Sequence, residues 1–224
     1  MKSSLKKLVF GSIGDHRIRY GTGKGIKMHI DPAHKLQRIL GMDENELMPI
    51  FTAWSLNANA FFDIGASDGF YGLMFRKCNQ KGKVFLFEGQ KRFIEEQKHN
   101  FLLNNFNEEI FHFSRYVASK DDNQTISLDT VIKDHHLENS SLLIKIDVDG
   151  GELEVLKGVK QTLQNYNCKL IVETHATVLE GDCILFLEEL GYTTEIINPA
   201  WWRVIIPEKR PIEHNRWFLA EKPT

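Results

Sequence analysis

Four acids in this 224-residue chain stand at the ends of four short apolar runs. Asp63 belongs to Ala60-Phe61-Phe62-Asp63-Ile64, and Glu88 closes the run from Lys83 to Phe87. Asp147 closes the run from Ser141, and Glu173 the run from Lys169. A single acid after a strand is readily explained as a cap for the helix that follows. Four at equivalent places exceed what capping explains and predict carboxylates gathered around one ligand. Such carboxylates can accept hydrogen bonds from hydroxyls, hold a cation or take up a proton. His175 follows Glu173 by two residues, so on an extended strand both side chains point the same way. Asp147 would end the neighbouring strand. Asp147, Glu173 and His175 then admit two catalytic readings: a histidine base oriented by a carboxylate, or three ligands of a divalent cation that lowers the pKa of a bound hydroxyl. A hydrogen-bonded histidine at the sheet edge is the plainer alternative. Lys145, inside the strand that ends at Asp147, needs an acidic partner or a route to the edge.

The first loop narrows the ligand. Asp63-Ile64-Gly65-Ala66-Ser67-Asp68-Gly69 follows a strand and opens a helix, with glycines for a tight turn and a close approach. Glu88 ends the next strand, where an acid grips ribose hydroxyls. A nucleoside-bearing cofactor is implied. The dinucleotide pattern G-x-G-x-x-G is absent, as is a Walker A loop. Asp63 and Asp68 would repel a pyrophosphate but suit an ammonium and a sulfonium, which points to S-adenosylmethionine.

The elements that must position these residues alternate. The four runs read as buried strands of a parallel sheet. Between them lie helical spacings: Phe93, Gln97 and Phe101, stopped by Asn104-Asn105; Leu153, Leu156, Val159 and Leu163; and Ile184, Leu187 and Leu190, with Asp182 as the expected N-cap and Gly191 as the stop. The fold class is α/β, a Rossmann-like, doubly wound, mostly parallel sheet. Residues 1–55 read as an N-terminal extension capping the core, and 56–224 as the cofactor-binding domain. In the extension, Gly21-Thr22-Gly23-Lys24-Gly25 is expected as a turn between two strands, Asp31-Pro32 as a helix start, and Asp43 to Ser55 as a second helix. After Tyr192, two or three strands surround a turn from Pro207 to Pro211. Trp201, Trp202 and Trp217, beside Arg203 and Arg216, suit core packing better than a sugar-stacking face. His135-His136 read as a polar loop.

Composition bounds the function. Lys+Arg 28 against Asp+Glu 30 gives a formal charge of -2, without the basic footprint of a nucleic-acid coat. No apolar run is long enough to span a membrane. Cys78, Cys168 and Cys183 are spaced for neither disulfides nor zinc, so a reducing compartment is expected. The start, Met1 to Phe10, has too short an apolar stretch for export, and Lys2 to Lys7 read as a solvated tail. A cytoplasmic protein is expected. Its oligomeric state is not encoded in these patterns.

The blocks Phe62 to Gly69, Val84 to Glu88, Ser127-Leu128-Asp129, Lys145-Ile146-Asp147-Val148-Asp149-Gly150-Gly151-Glu152 and Val172-Glu173-Thr174-His175 resemble, in order, the motifs of the FkbM family of S-adenosylmethionine-dependent methyltransferases. The resemblance spans roughly residues 20 to 190. Asp149 stands where a glutamate is more usual, and Gln90 where a proline is common. The resemblance implies O-methylation of a hydroxyl on a saccharide, glycoconjugate or natural product, and a seven-stranded sheet with an antiparallel edge. It places Asp63, Gly65, Ala66, Ser67, Asp68 and Gly69 at the methionine part, Glu88 at the ribose with Gly89 and Gln90 beside it, and Tyr116 to Ser119, Ala118 among them, at the adenine. Asp147 belongs to both the cofactor and the catalytic set. A nicotinamide-dependent oxidoreductase and a non-catalytic cofactor-binding relative are the competing readings; the acid-rich first loop opposes the former, and the assembled acids with His175 the latter.

Overall fold

A computed structural model describes residues 10–198, 200 and 216–223. The expected apolar runs are strands β3 (Ala60–Ile64), β4 (Lys83–Phe87), β8 (Leu142–Asp147) and β9 (Cys168–Thr174). They pair in parallel, β3 lying between β4 and β8, and β8 between β3 and β9. With β5 (Ile110–Phe113), β10 (Thr193–Ile197) and β11 (Arg216–Glu221), seven strands among the described residues form one sheet in the order β10-β11-β9-β8-β3-β4-β5, while β6 (Tyr116–Val117) and β7 (Thr125–Ile126) form a separate parallel pair. β11 runs antiparallel between β9 and β10, giving the expected antiparallel edge. From β3 the chain first winds outward through β4 to β5, then returns to β8 on the other flank. The strand order therefore reverses between β3 and β8, where open α/β sheets bind ligands.

Alternation along each strand divides the core. Phe62, Phe85, Phe87, Phe111 and Phe113 stack across β3, β4 and β5 on one face, with neighbouring centroids 4.7–4.8 Å apart. Helices α5 (Leu128–Asp134), α6 (Glu152–Gly158), α7 (Lys160–Asn165) and α8 (Thr177–Glu189) cover this face. Phe61, Val84, Leu143, Ile171 and Trp217 point to the opposite face. That face is covered by α3 (Phe70–Cys78), α4 (Lys91–Leu103) and the N-terminal segment.

The N-terminal segment forms an antiparallel hairpin, β1 (Gly14–Arg17) and β2 (Lys27–Ile30), whose connection holds the glycine cluster as expected. Asp31 caps α1 (Pro32–Ile39), accepting a hydrogen bond from the Ala33 amide. The second helix, α2 (Met48–Ser55), is shorter than Asp43 to Ser55, because Glu44 is held at φ 43° and Pro49 sits in the first turn. The hairpin is tied to α4: Asp15 Oδ1 lies 3.1 Å from His29 Nδ1 and 2.9 Å from His99 Nε2, and the Asn100 side chain accepts from the His29 amide. One expectation needs correction. Asp182 lies within α8 and does not cap it; the cap position is Ala176, because the helix begins immediately after His175. Gly191, at φ 82°, does stop that helix. Trp201, Trp202, Arg203 and the Pro207–Pro211 turn lie outside the described residues. His135 packs edge-on against Phe85 and Phe111.

Arg38 of α1 donates to both carboxylate oxygens of Asp68 at 2.6–2.7 Å and also pairs with Asp43. Asp68 is 1% exposed and Arg38 12%. We infer from this buried contact that residues 1–55 act as a cap on the core instead of folding alone. Removing one partner strands a buried charge, which costs about 3–5 kcal/mol. Arg38→Ala and Asp68→Ala are each expected to lower urea stability by about that much, with the double variant losing clearly less than the sum. Additive losses would show that the pair does not join cap and core.

Candidate active site

The first loop turns over the carboxyl end of β3. Gly65 has φ 81°, and a Cβ there would stand 1.8 Å from the Asp147 carbonyl oxygen. Only a glycine lets the two diverging strands approach so closely. The Gly65 and Ala66 amides donate to the Phe87 carbonyl at 3.0 Å. The Gln97 side chain donates to the Ser67 carbonyl at 2.8 Å, and that of Asn100 to the Asp68 carbonyl at 2.9 Å, so α4 braces the loop from behind. Gly69 takes φ 80° at the start of α3.

Glu88, one residue past β4, faces a cleft of about 530 Å³. Its carboxylate accepts from the Ser67 amide at 3.1 Å and the Gln90 amide at 2.9 Å, which fixes its height over the loop. Gly65, Ser67, Gly89, Tyr116, Asp147 and Val148 share the walls. This volume is within the usual range for small-molecule sites. Ala118 is not among the lining residues: its carbonyl lies where a Cβ on Gly158 would stand 2.2 Å away. Of the stretch Tyr116 to Ser119, Tyr116 and Val117 line the cleft, next to Arg115.

The four acids do not form one ring. Asp63 lies within β3, and the pleat turns it to the face covered by the N-terminal cap. Glu88 lies one residue past the end of β4, beyond the pleat, and lines the cleft. Asp63 lines a smaller recess of about 130 Å³ with Ala66, Asp68, Tyr71, Lys145 and Glu44. Gly65, Ser67 and Asp147 border both cavities. Burial pushes the Asp63 carboxyl up to about 7; nearby Lys145 pulls it down while Asp147 and Glu44 push it further up. Lys145 is 2% exposed and donates to Asp147 Oδ2 at 3.0 Å, settling which partner it takes. Burial opposes its charge, but Asp147, Glu44, Glu173 and Asp63 together hold its pKa above the usual lysine value. Tyr71 donates to Glu44 Oε2 at 2.5 Å, and the Lys145 ammonium lies 4.5 Å from the Tyr71 ring centre. Burial likewise raises the Glu44 carboxyl.

Asp147, Glu173 and His175 do converge. Asp147 and Glu173 are direct register partners on β8 and β9. His175 Nε2 lies 3.8 Å from Asp147 Oδ1 and 3.7 Å from Glu173 Oε1. Its Nδ1 lies 3.0 Å from Glu152 Oε1, and a carboxylate partner needs a donor, so the proton belongs on Nδ1. That hydrogen bond raises the His175 pKa; burial opposes it, and Asp147 and Glu173 reinforce it. Trp217 Nε1 donates to Glu173 Oε2 at 3.0 Å, placing that indole in the core and not on an open stacking face.

Three contributors escaped the reading of residues: Glu152, Glu44 and Tyr71. Glu152 was visible in the Gly150-Gly151-Glu152 block, but an acid in the first turn of a helix is most simply a dipole partner. Glu44 and Tyr71 carry no local signal. Conversely, Ser127 and Asp129 of the short Ser-Leu-Asp motif are structural: Ser127 caps α5, and Asp129 accepts from the Gln161 and Thr162 amides of α7.

Strand order, switch-point cleft and acid after the second parallel strand define a class I methyltransferase fold. Residues 106–194 match the methyltransferase FkbM domain. The chain is also similar to the hexuronic acid methyltransferase AglP of Haloferax volcanii, 24% identical over 208 residues, covering 83% of this chain and 85% of that protein. Among solved structures, it resembles a human methyltransferase 10 domain containing protein (TM-score 0.53, 15% identity, 99% of this chain and 94% of that one). It also resembles a Streptococcus mutans protein solved in complex with SAH (TM-score 0.52, 11% identity, 79% and 97%). These findings support methyltransferase function. No helix among the described residues is long and apolar enough to cross a membrane.

The Asp63 environment makes a pH prediction. Its folded pKa exceeds its unfolded value of 3.8, so between about pH 4 and 7 the folded state holds more protons, and stability from this group falls as pH rises. Asp63→Asn removes that loss. Relative to the parent, the variant is expected to gain about 2–3 kcal/mol in urea stability between pH 5 and pH 8, at about 1.4 kcal/mol per pH unit. A difference that is flat with pH would contradict the assigned burial.

Proposed function

We propose that the protein is an S-adenosylmethionine-dependent O-methyltransferase acting on a saccharide hydroxyl. The observation that carries this reading is the switch-point cleft, where Glu88 stands over a glycine loop and Asp147 forms the opposite wall. The residues suit the cofactor. Glu88, oriented by two backbone amides, would accept from ribose hydroxyls, with Gly89 and Gln90 beside it. Arg115, Tyr116 and Val117 would flank the base. Gly65 and Ser67, bordering both cavities, would lie at the methionine part, with Ala66 and Asp68 reached through the recess. Asp63 belongs with the recess and acts on that end through its charge. Gly69 shapes the start of α3.

The bound cofactor supplies a methyl group on a positively charged sulfur. This chain contributes placement: the acceptor oxygen must be held in line with that group, which is the larger part of catalysis for a displacement. Its proton must also leave, and an alkyl hydroxyl is about as weak an acid as water, pKa ~15.7. Asp147 borders both cavities, with Glu173 and His175 packed behind it, and this trio is where that proton would be handled. The saccharide reading draws on the relative named for hexuronic acid, and a glycan or small-molecule acceptor is the partner class. The segment before β3 closes the recess at Glu44 and Arg38, so the acceptor would enter from the cleft side.

Calorimetric titration tests the cofactor. S-adenosylmethionine and S-adenosylhomocysteine are expected to bind at one site and NAD not at all. Glu88→Ala should weaken S-adenosylmethionine binding by about 1–3 kcal/mol, the range for a charged hydrogen bond. Binding of NAD instead, or an unchanged affinity in Glu88→Ala, would overturn the assignment.

A further inference from the structure

Each member of the Asp147, Glu173 and His175 trio is anchored by its far atom. Lys145 holds Asp147 Oδ2, Trp217 holds Glu173 Oε2, and Glu152 holds His175 Nδ1. The near atoms, Oδ1, Oε1 and Nε2, turn toward one another, and one ligand atom from each residue lies within 4.8 Å of the others. With the proton on Nδ1 toward Glu152, the lone pair falls on Nε2, an atom buried in a side chain only 9% exposed and without a hydrogen-bond partner. A buried nitrogen lone pair aimed between two carboxylates is costly unless something electropositive meets it.

We propose that these three atoms bind one divalent first-row transition cation of the manganese-to-zinc type. The 3.7–3.8 Å separations need to close only by a few tenths of an ångström to match ligands about 2.0–2.2 Å from a common ion. One imidazole with two carboxylates selects such an ion over magnesium or calcium, which take oxygen ligands. Glu152 completes the carboxylate–histidine–metal relay that fixes the tautomer and the ring. A divalent ion would also offset part of the negative charge that Glu44, Asp63, Asp147, Glu152 and Glu173 bring here, against which Lys145 is the buried lysine among them. Because Asp147 borders both cavities, the ion's open positions would face the cleft, where a hydroxyl oxygen could coordinate and lose its proton more easily. This deepens the O-methyl transfer reading and rests on it for the acceptor, but ion binding itself does not require the cofactor.

The test uses the full chain stripped with a chelator and titrated with Mn²⁺, followed by the loss of the free-ion electron paramagnetic resonance signal. Manganese avoids the three thiols, which would confuse a zinc titration. One ion per chain is expected, with His175→Ala and Glu173→Gln weakening it at least 10-fold and Glu152→Gln 10- to 100-fold. Circular dichroism and S-adenosylmethionine titration of each variant separate loss of the ion site from loss of fold or of the cofactor site. Asp15→Ala serves as a control, because Asp15, His29 and His99 form the other three-residue group of this kind among the described residues. That group is half exposed and satisfied by its own hydrogen bonds. Absence of Mn²⁺ binding at millimolar ion would overturn the proposal, as would binding indifferent to His175→Ala or binding lost in Asp15→Ala. If S-adenosylmethionine fails to bind while Mn²⁺ binding depends on His175, the cofactor reading falls and the ion site stands.

Discussion

Lys145 is the constraint on which the rest of the site depends. Burying an ammonium costs several kcal/mol unless anions surround it, and burying carboxylates carries the same cost in reverse. At an effective dielectric near 20, two charges 4 Å apart interact by about 4 kcal/mol. Lys145 sits on the sheet face where register sets it beside Asp63, and it bonds Asp147 two residues further along its own strand. Glu44 reaches the same space from the N-terminal cap, anchored by Tyr71. One cation thus makes it tolerable for acids from two strands and a capping loop to share a water-poor recess. It also draws the cap to that position, since Lys145 is the cation that favours the Glu44 charge there.

The pleat decides how the site is divided. Residues of odd number on β3 and β8 face the cap, so Asp63, Lys145 and Asp147 share a side, and the aromatic stack of Phe62, Phe85 and Phe111 occupies the other. Asp147 escapes full burial because β8 ends there, and its carboxylate stands at the lip between recess and cleft. This single position, last in its strand, joins the cleft wall to the His175 cluster.

Much of this was legible in the residues because it depends on short-range pattern. Short apolar runs, two of them closed by glycine, gave the four parallel strands, the glycine spacing gave the loop, and the two-residue step from Glu173 to His175 gave their common side. What the pattern could not reveal depends on contacts far apart in the chain. Glu44 meets Tyr71 across 27 residues, and Trp217 meets Glu173 across 44. Asp63 stands one residue before the end of β3, on the face that the cap covers, and so lines the recess and not the cleft. Asp182 was taken for a cap because an acid preceding an apolar helical repeat looks the same one turn inside a helix as at its start.

The position of β11 has a consequence for how the protein is made. It comes last among the described strands, yet it is inserted between β9 and β10, bonded to both. Until residue 217 has left the ribosome, β9 has an open edge and Glu173 lacks the indole that orients it. A nascent chain can pre-assemble the parallel half of the sheet from β3 to β9, but β10 must wait or be displaced to admit the final strand. The site therefore matures only after synthesis has passed the last strand, and until then the emerging chain presents an unpaired sheet edge of the kind that chaperones shield.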